Sequence, residues 1–146
     1  NSKTGLYLTV LTQGIMGKAK PGCAVIASKG KVLGGAKSQQ WIFDKEGYIT
    51  SALDKTGNLV LDSKSSQCGE ELIVNTKQYT NNLNQKWIVK QPTVVASERN
   101  LKAARIVYSQ NNTNVVLDEK GLNEAIFLNF NKNSADGSQA WKIKTA

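Results

Sequence analysis

Histidine is absent from the sequence. Without an imidazole there can be no serine–histidine or cysteine–histidine nucleophile pair, no histidine general base and no histidine-ligated zinc. The two cysteines, Cys23 and Cys68, are not in a Cys-x-x-Cys arrangement, and by themselves they make a poor transition-metal site. Neither adjacent acidic pair, Glu70-Glu71 or Asp118-Glu119, has a partner that would suggest acid–base catalysis. We therefore expect a protein that is not an enzyme and that uses no cofactor and no metal.

Proline and long apolar runs are also scarce. The chain has only 2 prolines in 146 residues, and its 40% hydrophobic and 21% charged residues are typical of an ordinary globular domain rather than a disordered chain. No apolar run approaches the roughly 18 residues that a membrane span needs. Residue 1 is Asn, and residues 1–10 lack the features of a secretion signal. We expect a processed product or an excised domain, and we favour a secreted or extracellular location.

The chain contains an internal repeat. All 3 tryptophans lie in tripeptides of the form Gln-x-Trp, and the second interval between them is a little longer than the first. The tripeptides are Gln39-Gln40-Trp41, Gln85-Lys86-Trp87 and Gln139-Ala140-Trp141. A tryptophan that occurs only at equivalent positions indicates a repeated structural unit.

Short apolar segments recur around each tripeptide and predict strands separated by turns. Two strands precede each tripeptide, at 6–9 and 24–26, at 59–62 and 72–74, and at 115–118 and 126–128. A third strand begins at each tryptophan, at 41–43, 87–89 and 141–143. A fourth follows at 47–51, with 94–97 as its expected counterpart. We interpret residues 97–111 as an insertion in which 98–105 could form a helical turn or two.

Three copies of such a unit resemble the ricin-B type β-trefoil lectin family across essentially the whole chain. The resemblance implies an all-β fold, a β-trefoil with pseudo-threefold symmetry and three four-stranded repeats. It implies one domain over residues 1–146, with repeats at approximately 1–46, 47–96 and 97–146. In that family the signature Trp fills the shared core while the Gln fastens neighbouring backbone. The implied function is a non-enzymatic lectin module that binds glycans of the galactose type or related sugars.

The resemblance also implies a shallow sugar pocket in each unit, formed by an early Asp, an aromatic residue after the second strand and an Asn directly before the tripeptide. Carboxylate and amide groups can bind sugar hydroxyls, and an aromatic ring can cover the apolar face of a sugar. The second unit fits best. Its candidate residues are Asp62, Asn75 at the usual aromatic position, Tyr79, Asn84 and Gln85. The alternative is that Asp62 and Asn84 only satisfy backbone groups of turns.

The other two units fit less well. The third has Asp118, Asn129, Phe130 and Gln139, but Ser138 stands where the second unit has Asn84, and Asn129 and Asn131 are the candidate substitutes for that amide. The alternative is that Phe130 is a strand residue and the pocket is inactive. The first unit has Thr9 and Ser38 in place of Asp and Asn. We expect its pocket to be lost.

The positive charge is concentrated in the first unit. The net charge is +8, and no acidic residue precedes Asp44. The lysines before it are Lys3, Lys18, Lys20, Lys29, Lys31 and Lys37. This asymmetry suggests a second function, binding of anionic surfaces such as sulfated or sialylated glycans, phosphoinositides or an acidic protein; the plain alternative is a solvated face. Nucleic acid is disfavoured because the lysines are not interleaved with stacking aromatics or arginine.

The positions of the two cysteines argue against a disulfide bond between them. Cys23 and Cys68 lie at nearly equivalent places in units related by threefold symmetry, where bridging is too long, so we expect free thiols. The domain could also serve to target an enzyme or toxin located elsewhere in a larger chain or complex.

Overall fold

The computed structural model describes residues 1–12, 18–30, 35–91, 104–132 and 137–143. Within those ranges the regular structure is almost entirely β, because short runs of Val, Ile and Leu alternate with turns rich in Gly, Asn and Asp. The strands are β1 (Tyr7–Val10), β2 (Val25–Ser28), β3 (Trp41–Phe43), β4 (Ile49–Ser51), β5 (Leu59–Asp62), β6 (Ile73–Thr76), β7 (Trp87–Lys90), β8 (Ala104–Ser109), β9 (Val115–Asp118), β10 (Phe127–Phe130) and β11 (Trp141–Lys142). Short 3-10 helices span Gly35–Gln39 and Leu83–Gln85.

Three antiparallel hairpins, β1–β2, β5–β6 and β9–β10, form a cap around a common axis. A closed ring of backbone hydrogen bonds joins them: Val25 N donates to Leu72 O at 3.1 Å, Leu72 N to Ile126 O at 2.8 Å, and Ile126 N to Val25 O at 2.8 Å. All three side chains are buried. This ring identifies Val25, Leu72 and Ile126 as equivalent residues and shows the pseudo-threefold relation directly.

The remaining strands form a barrel below the cap. β3 pairs with β4, β7 pairs with β8, and β8 also pairs with β11, in each case antiparallel. The amide of Trp87 donates to Gly47 O at 2.8 Å, which joins β7 to the turn that connects β3 and β4. Each tryptophan strand therefore belongs to the barrel, as the repeat predicts.

The fourth strand of the second unit differs from the prediction. Residues 94–97, expected to form it, lie outside the described residues, and the strand that pairs with β7 is β8. Its register aligns Ser109 with Trp87, as Ser51 aligns with Trp41 in the first unit. Residues 104 and 105, for which a helical turn was one possibility, are strand residues because they pair with β11; residues 98–103 are outside the described ranges.

The tryptophans link the barrel to the cap. The indole Nε1 of Trp41 donates to Leu8 O at 2.9 Å, that of Trp87 to Leu61 O at 3.1 Å, and that of Trp141 to Leu117 O at 3.3 Å. A buried indole N–H needs such a partner.

Among the described residues, no helix is long and apolar enough to cross a bilayer.

Candidate functional site

The centre of the second unit is a network around Asp62, the last residue of β5. Asp62 is buried, with 5% of its surface exposed. Its Oδ2 accepts hydrogen bonds from Asn75 Nδ2 and from Gln85 Nε2, both at 3.1 Å. The pairing of β5 with β6 and the short helix Leu83–Gln85 place these three side chains together. Three of the predicted site residues therefore meet, and two of them, Asp62 and Gln85, are buried.

Asp62 and Asn84 also hold one turn from two sides. Asp62 Oδ1 accepts from the amide of Lys64 at 2.7 Å, and Asn84 Nδ2 donates to Lys64 O at 2.7 Å. Lys64 has a φ of 59°, a conformation that a non-glycine residue adopts at a cost. These bonds fix it, so both residues satisfy turn backbone, which is the alternative role considered for them. The Asp62 carboxylate accepts three bonds out of about four acceptor positions.

Gln85 fastens the loop that precedes it. Its Nε2 donates to Thr76 O at 2.9 Å as well as to Asp62, and its Oε1 accepts from Gln78 N at 2.8 Å. The side chain is almost fully buried. The signature glutamine thus has the backbone-fastening role that the resemblance implies.

Tyr79 lies apart from this network. It projects from the loop closed by Gln85, and 74% of its surface is exposed. The Lys77 ammonium is 5.4 Å from its ring centroid. Tyr79 is exposed but does not contact Asp62, and its stacking on a ligand stays a prediction.

Four residues that the sequence reasoning did not select border this site. Asn111 Nδ2 donates to Asn84 Oδ1 at 2.9 Å and so orients the amide of the second unit. The ammonium groups of Lys77 and Lys86 lie 4.5 Å and 4.3 Å from the ring centroid of the buried Tyr48. No local sequence pattern predicts these contacts, because they join residues far apart in the sequence: Asn111, Lys77 and Tyr48.

The third unit repeats the network closely. Asp118 Oδ2 accepts from Asn129 Nδ2 at 2.9 Å and from Gln139 Nε2 at 3.2 Å, while Oδ1 accepts from Glu119 N at 2.8 Å. Phe130 is exposed and its carbonyl accepts from Gln139 Nε2 at 2.7 Å. The predicted residues of this unit therefore also meet.

Asn129 holds the position of Asn75 in this network, so it does not supply the amide that is missing before Gln139. The carbonyl of Ser138 accepts from Asn1 Nδ2 at 2.8 Å, so the first residue of the chain covers part of this position. Asn131 Nδ2 is directed at the Tyr108 hydroxyl, 3.4 Å away. Of the two proposed substitutes, only Asn129 contacts Asp118.

In the first unit a hydroxyl stands in place of the carboxylate. Gln39 Nε2 donates to Thr9 Oγ1 at 3.2 Å and to Lys29 O at 2.7 Å. The fold contacts of the signature glutamine are therefore kept while the charged acceptor is absent. The first-unit lysines are exposed wherever the structure describes them; these are Lys3, Lys18, Lys20, Lys29 and Lys37.

Cys23 and Cys68 are both free, as expected. They are not equivalent, however: Val74 N donates to Cys23 O at 3.0 Å while Leu128 N donates to Glu70 O at 2.8 Å, so Cys23 corresponds to Glu70. Cys68 therefore lies two positions before the equivalent of Cys23, so the two cysteines are close to equivalent places but not at them. Within the described residues, no cluster of Cys, Asp and Glu could hold a metal ion.

Two cavities of about 420 Å³ and 410 Å³ lie in the described part of the molecule. Asp62, Asn84 and Tyr79 line neither of them.

No protein-family model matches the sequence, and no curated protein matches it. Solved structures do. The C-half of an earthworm R-type lectin, solved with GalNAc, aligns with a TM-score of 0.66 and 18% identity over 96% of this chain and 91% of the other. The designed threefold-symmetric protein ThreeFoil gives 0.68 and 18% over 97% of this chain and 91% of its own.

A third solved structure belongs to the same architecture. The ricin B-like lectin of the mushroom Macrolepiota procera, solved with lactose, aligns with a TM-score of 0.59 and 18% identity over 95% of this chain and 94% of the lectin. Identities at this level establish the fold. The chain has the β-trefoil fold of the R-type and ricin B-like lectins.

Proposed function

We propose that the chain is a non-enzymatic carbohydrate-binding module with its principal site in the second unit. The observation that carries the proposal is the combination of an exposed Tyr79 with the hydrogen-bonded Asp62–Asn75–Gln85 framework and with Asn84, which Lys64 and Asn111 hold beside it. Neighbours of the same fold that were solved with GalNAc and lactose support it. Galactose-type or related sugars are the expected ligands. The division into repeats at 1–46, 47–96 and 97–146 is part of this proposal.

The residues of the second unit have different roles in this proposal. Tyr79 covers the apolar face of a sugar ring. Asn84, held by Lys64 O and Asn111, offers its remaining hydrogen-bonding capacity to hydroxyls. Asp62 has one acceptor position left and otherwise orients the turn, with Asn75 and Gln85 holding the carboxylate. Such a shallow site offers few buried contacts, so individual affinities would be weak.

A second, weaker site is proposed in the third unit. Asp118, Asn129 and Gln139 form the same framework, and Phe130 is the exposed aromatic. Ser138 stands where the second unit has Asn84. The side chain of Asn1 donates a hydrogen bond to the Ser138 carbonyl. Two sites on one rigid body would raise avidity for clustered glycans on glycoproteins or glycolipids.

Calorimetric titration with galactose, GalNAc and lactose tests the principal site. Tyr79→Ala and Asn84→Ala are each expected to weaken binding by about tenfold, the loss of one stacking or one hydrogen-bonding contact. Leu83→Ala is the matched control, because Leu83 is an exposed residue of the same loop with no role in the framework. Unchanged affinity in both site variants would assign the binding elsewhere, and Phe130→Ala then tests the third unit.

The exposed lysines of the first unit favour a second candidate function, binding of anionic glycans or surfaces. Because exposed charges are screened over about 10 Å at 0.1 M salt, such binding would weaken steeply as salt is added. A variant with Lys18→Gln, Lys20→Gln and Lys29→Gln should lose affinity for a sulfated glycan and keep affinity for lactose. Binding that is insensitive to salt and competed by neutral galactose would reject this candidate.

A further inference from the structure

The sequence contains one acceptor signal for N-linked glycans. Asn111-Asn112-Thr113 has the form Asn-x-Ser/Thr in which x is not proline, and no other asparagine of the chain is followed two positions later by Ser or Thr. Such a tripeptide accepts a glycan in chains that enter the secretory route. A glycan of this class would therefore have a single attachment point, the side chain of Asn111.

This tripeptide lies at the surface, between β8 and β9, where Asn111 and Thr113 are both exposed. Asn112 holds the turn between them: its Oδ1 accepts from the amide of Asn114 at 3.1 Å, and its Nδ2 donates to Ser66 O at 3.2 Å. The middle residue thus fastens the turn to the second unit, while the side chain that would carry the glycan stays exposed. The folded domain therefore has room for a glycan on Asn111.

The amide nitrogen of Asn111 also borders the proposed sugar site of the second unit. It donates to Asn84 Oδ1 at 2.9 Å, and Asn84 in turn donates to Lys64 O at 2.7 Å. An N-linked glycan is attached to this same nitrogen. Its first sugar ring would therefore begin one hydrogen bond away from the residue that is proposed to bind sugar hydroxyls, and a sugar ring is wider than that distance.

The equivalent positions of the other two units cannot carry such a glycan. Asn111, Leu53 and Lys3 are equivalent, because each follows a residue whose amide donates to the carbonyl of the middle residue of a Gln-x-Trp tripeptide. Leu53 packs against the core, and Lys3 ends in an ammonium group. The modification would therefore act on the second-unit site and leave the third unit unmodified.

We propose that Asn111 is an N-glycosylation site whose glycan closes the sugar site of the second unit. In the transfer step the Asn111 amide nitrogen bonds to C1 of an oligosaccharide carried on a lipid diphosphate. The bond from C1 to the phosphate oxygen breaks, the lipid diphosphate leaves, and the nitrogen loses one of its two protons. Unmodified Asn111 orients Asn84 for a ligand, whereas glycosylated Asn111 places a sugar over it. The closure rests on the proposed function; the modification does not.

Secretion of the chain from a eukaryotic cell line, followed by mass spectrometry, tests the modification. We expect one N-glycan, which peptide mapping locates at Asn111. Thr113→Ala should abolish the glycan and Thr113→Ser should retain it, because transfer requires a hydroxyl at this position. Both variants keep the Asn111 amide and its contact with Asn84. A secreted parent chain without a glycan at Asn111 would overturn the proposal.

Calorimetric titration with lactose tests the closure, in chains that also carry Phe130→Ala so that the proposed third-unit site does not contribute. The glycosylated chain should bind lactose about tenfold more weakly than the glycan-free Thr113→Ala chain from the same cells, because glycan and ligand compete for one space. Equal affinities, with binding still weakened by Asn84→Ala, would overturn the closure and leave the sugar site in place. If the glycan-free chain does not bind lactose, the proposed function is overturned and the closure with it, whatever mass is found at Asn111.

Discussion

Gln85 Nε2 donates a hydrogen bond to Asp62 Oδ2 at 3.1 Å in the interior of the second unit. Gln139 and Asp118 form the same bond in the third unit at 3.2 Å. Both partners are buried in each case. The residue that defines the repeat in the sequence therefore also fixes the carboxylate that the proposed sugar site needs, so folding and binding are coupled at this contact.

Replacement of Gln85 by Ala should destabilise the protein strongly. The change leaves the Asp62 carboxylate, Thr76 O and Gln78 N each without one hydrogen-bond partner. We expect a loss of about 3 kcal/mol in the free energy of unfolding, because buried polar groups without partners are costly. Urea denaturation followed by circular dichroism measures it.

Gln39→Ala is the matched control for that experiment. Gln39 makes the equivalent bonds to Thr9 and Lys29, but it is only partly buried and its partner is a hydroxyl. We expect a smaller loss, about 1 kcal/mol. Equal losses in the two variants would contradict the idea that the buried carboxylate network dominates the role of the signature glutamine.

The repeat in the sequence predicted the fold because its three tryptophans occupy equivalent positions in the three units. It could not locate the fourth strand of the second unit. Residues 94–97 and the residues of β8 are both apolar segments between turns, and the choice between them depends on pairing with β7 and β11, whose residues are distant in sequence. Local propensity does not contain that information.

In the candidate site, too, some contacts could be predicted from the repeat and others could not. The proximity of Asp62, Asn75 and Gln85 follows from equivalent positions in a repeated unit. The contacts of Asn111 with Asn84 and of Lys86 with Tyr48 depend on how neighbouring units pack, which spacing along the chain does not specify. The burial of Asp62 likewise could not be predicted from the sequence, because a carboxylate at the end of a strand is equally compatible with an exposed position.

Asp54 should make stability depend on pH in the acid range. The side-chain hydrogen bond from Thr56, with the amides of Thr56 and Asn58, lowers the pKa of Asp54 below its ordinary value of 3.8, although burial opposes this. The stabilisation is complete above the pKa of the unfolded chain and is lost as the pH falls through the lower folded-state pKa. Asp54→Asn should therefore be less stable near neutral pH and should lose less stability on acidification.

Thermal unfolding of both proteins across the acid range measures this difference. Lys55→Gln is the control, because it alters a neighbouring exposed charge without touching the hydrogen bonds of Asp54. If the Asp54→Asn protein and the parent lose stability equally below pH 3.8, Asp54 does not contribute to the acid dependence.

One cap turn recurs in all three units and requires a left-handed residue. Gly22, Gly69 and Asn123 are equivalent, since their amides donate to Val74 O, Leu128 O and Ala27 O, and their φ values are 94°, 95° and 63°. A Cβ built on Gly69 meets no atom within 4 Å, so the backbone conformation is the only obstacle to a side chain. Gly69→Ala should cost about 1 kcal/mol of unfolding free energy, while Gly69→Asn should cost less. Chemical denaturation ranks the variants, and an Ala variant as stable as the parent would contradict the requirement.

The three tryptophans should differ in their importance for stability. Trp87 is buried, and its indole N–H satisfies Leu61 O. Truncation of a large buried aromatic costs about 3–5 kcal/mol, so Trp87→Ala should unfold or severely destabilise the domain. Trp41 is only partly buried, so Trp41→Ala removes less buried surface and should cost about half as much.

Acrylamide quenching of tryptophan fluorescence tests the same difference without relying on truncation. In the parent protein one class of tryptophan should be accessible to the quencher, and the conservative Trp41→Phe variant should remove that class. Trp141→Phe is the control, because Trp141 is buried and should contribute to the protected class. Loss of the accessible class in the Trp141 variant instead would contradict the assignment of Trp41 as the more exposed tryptophan.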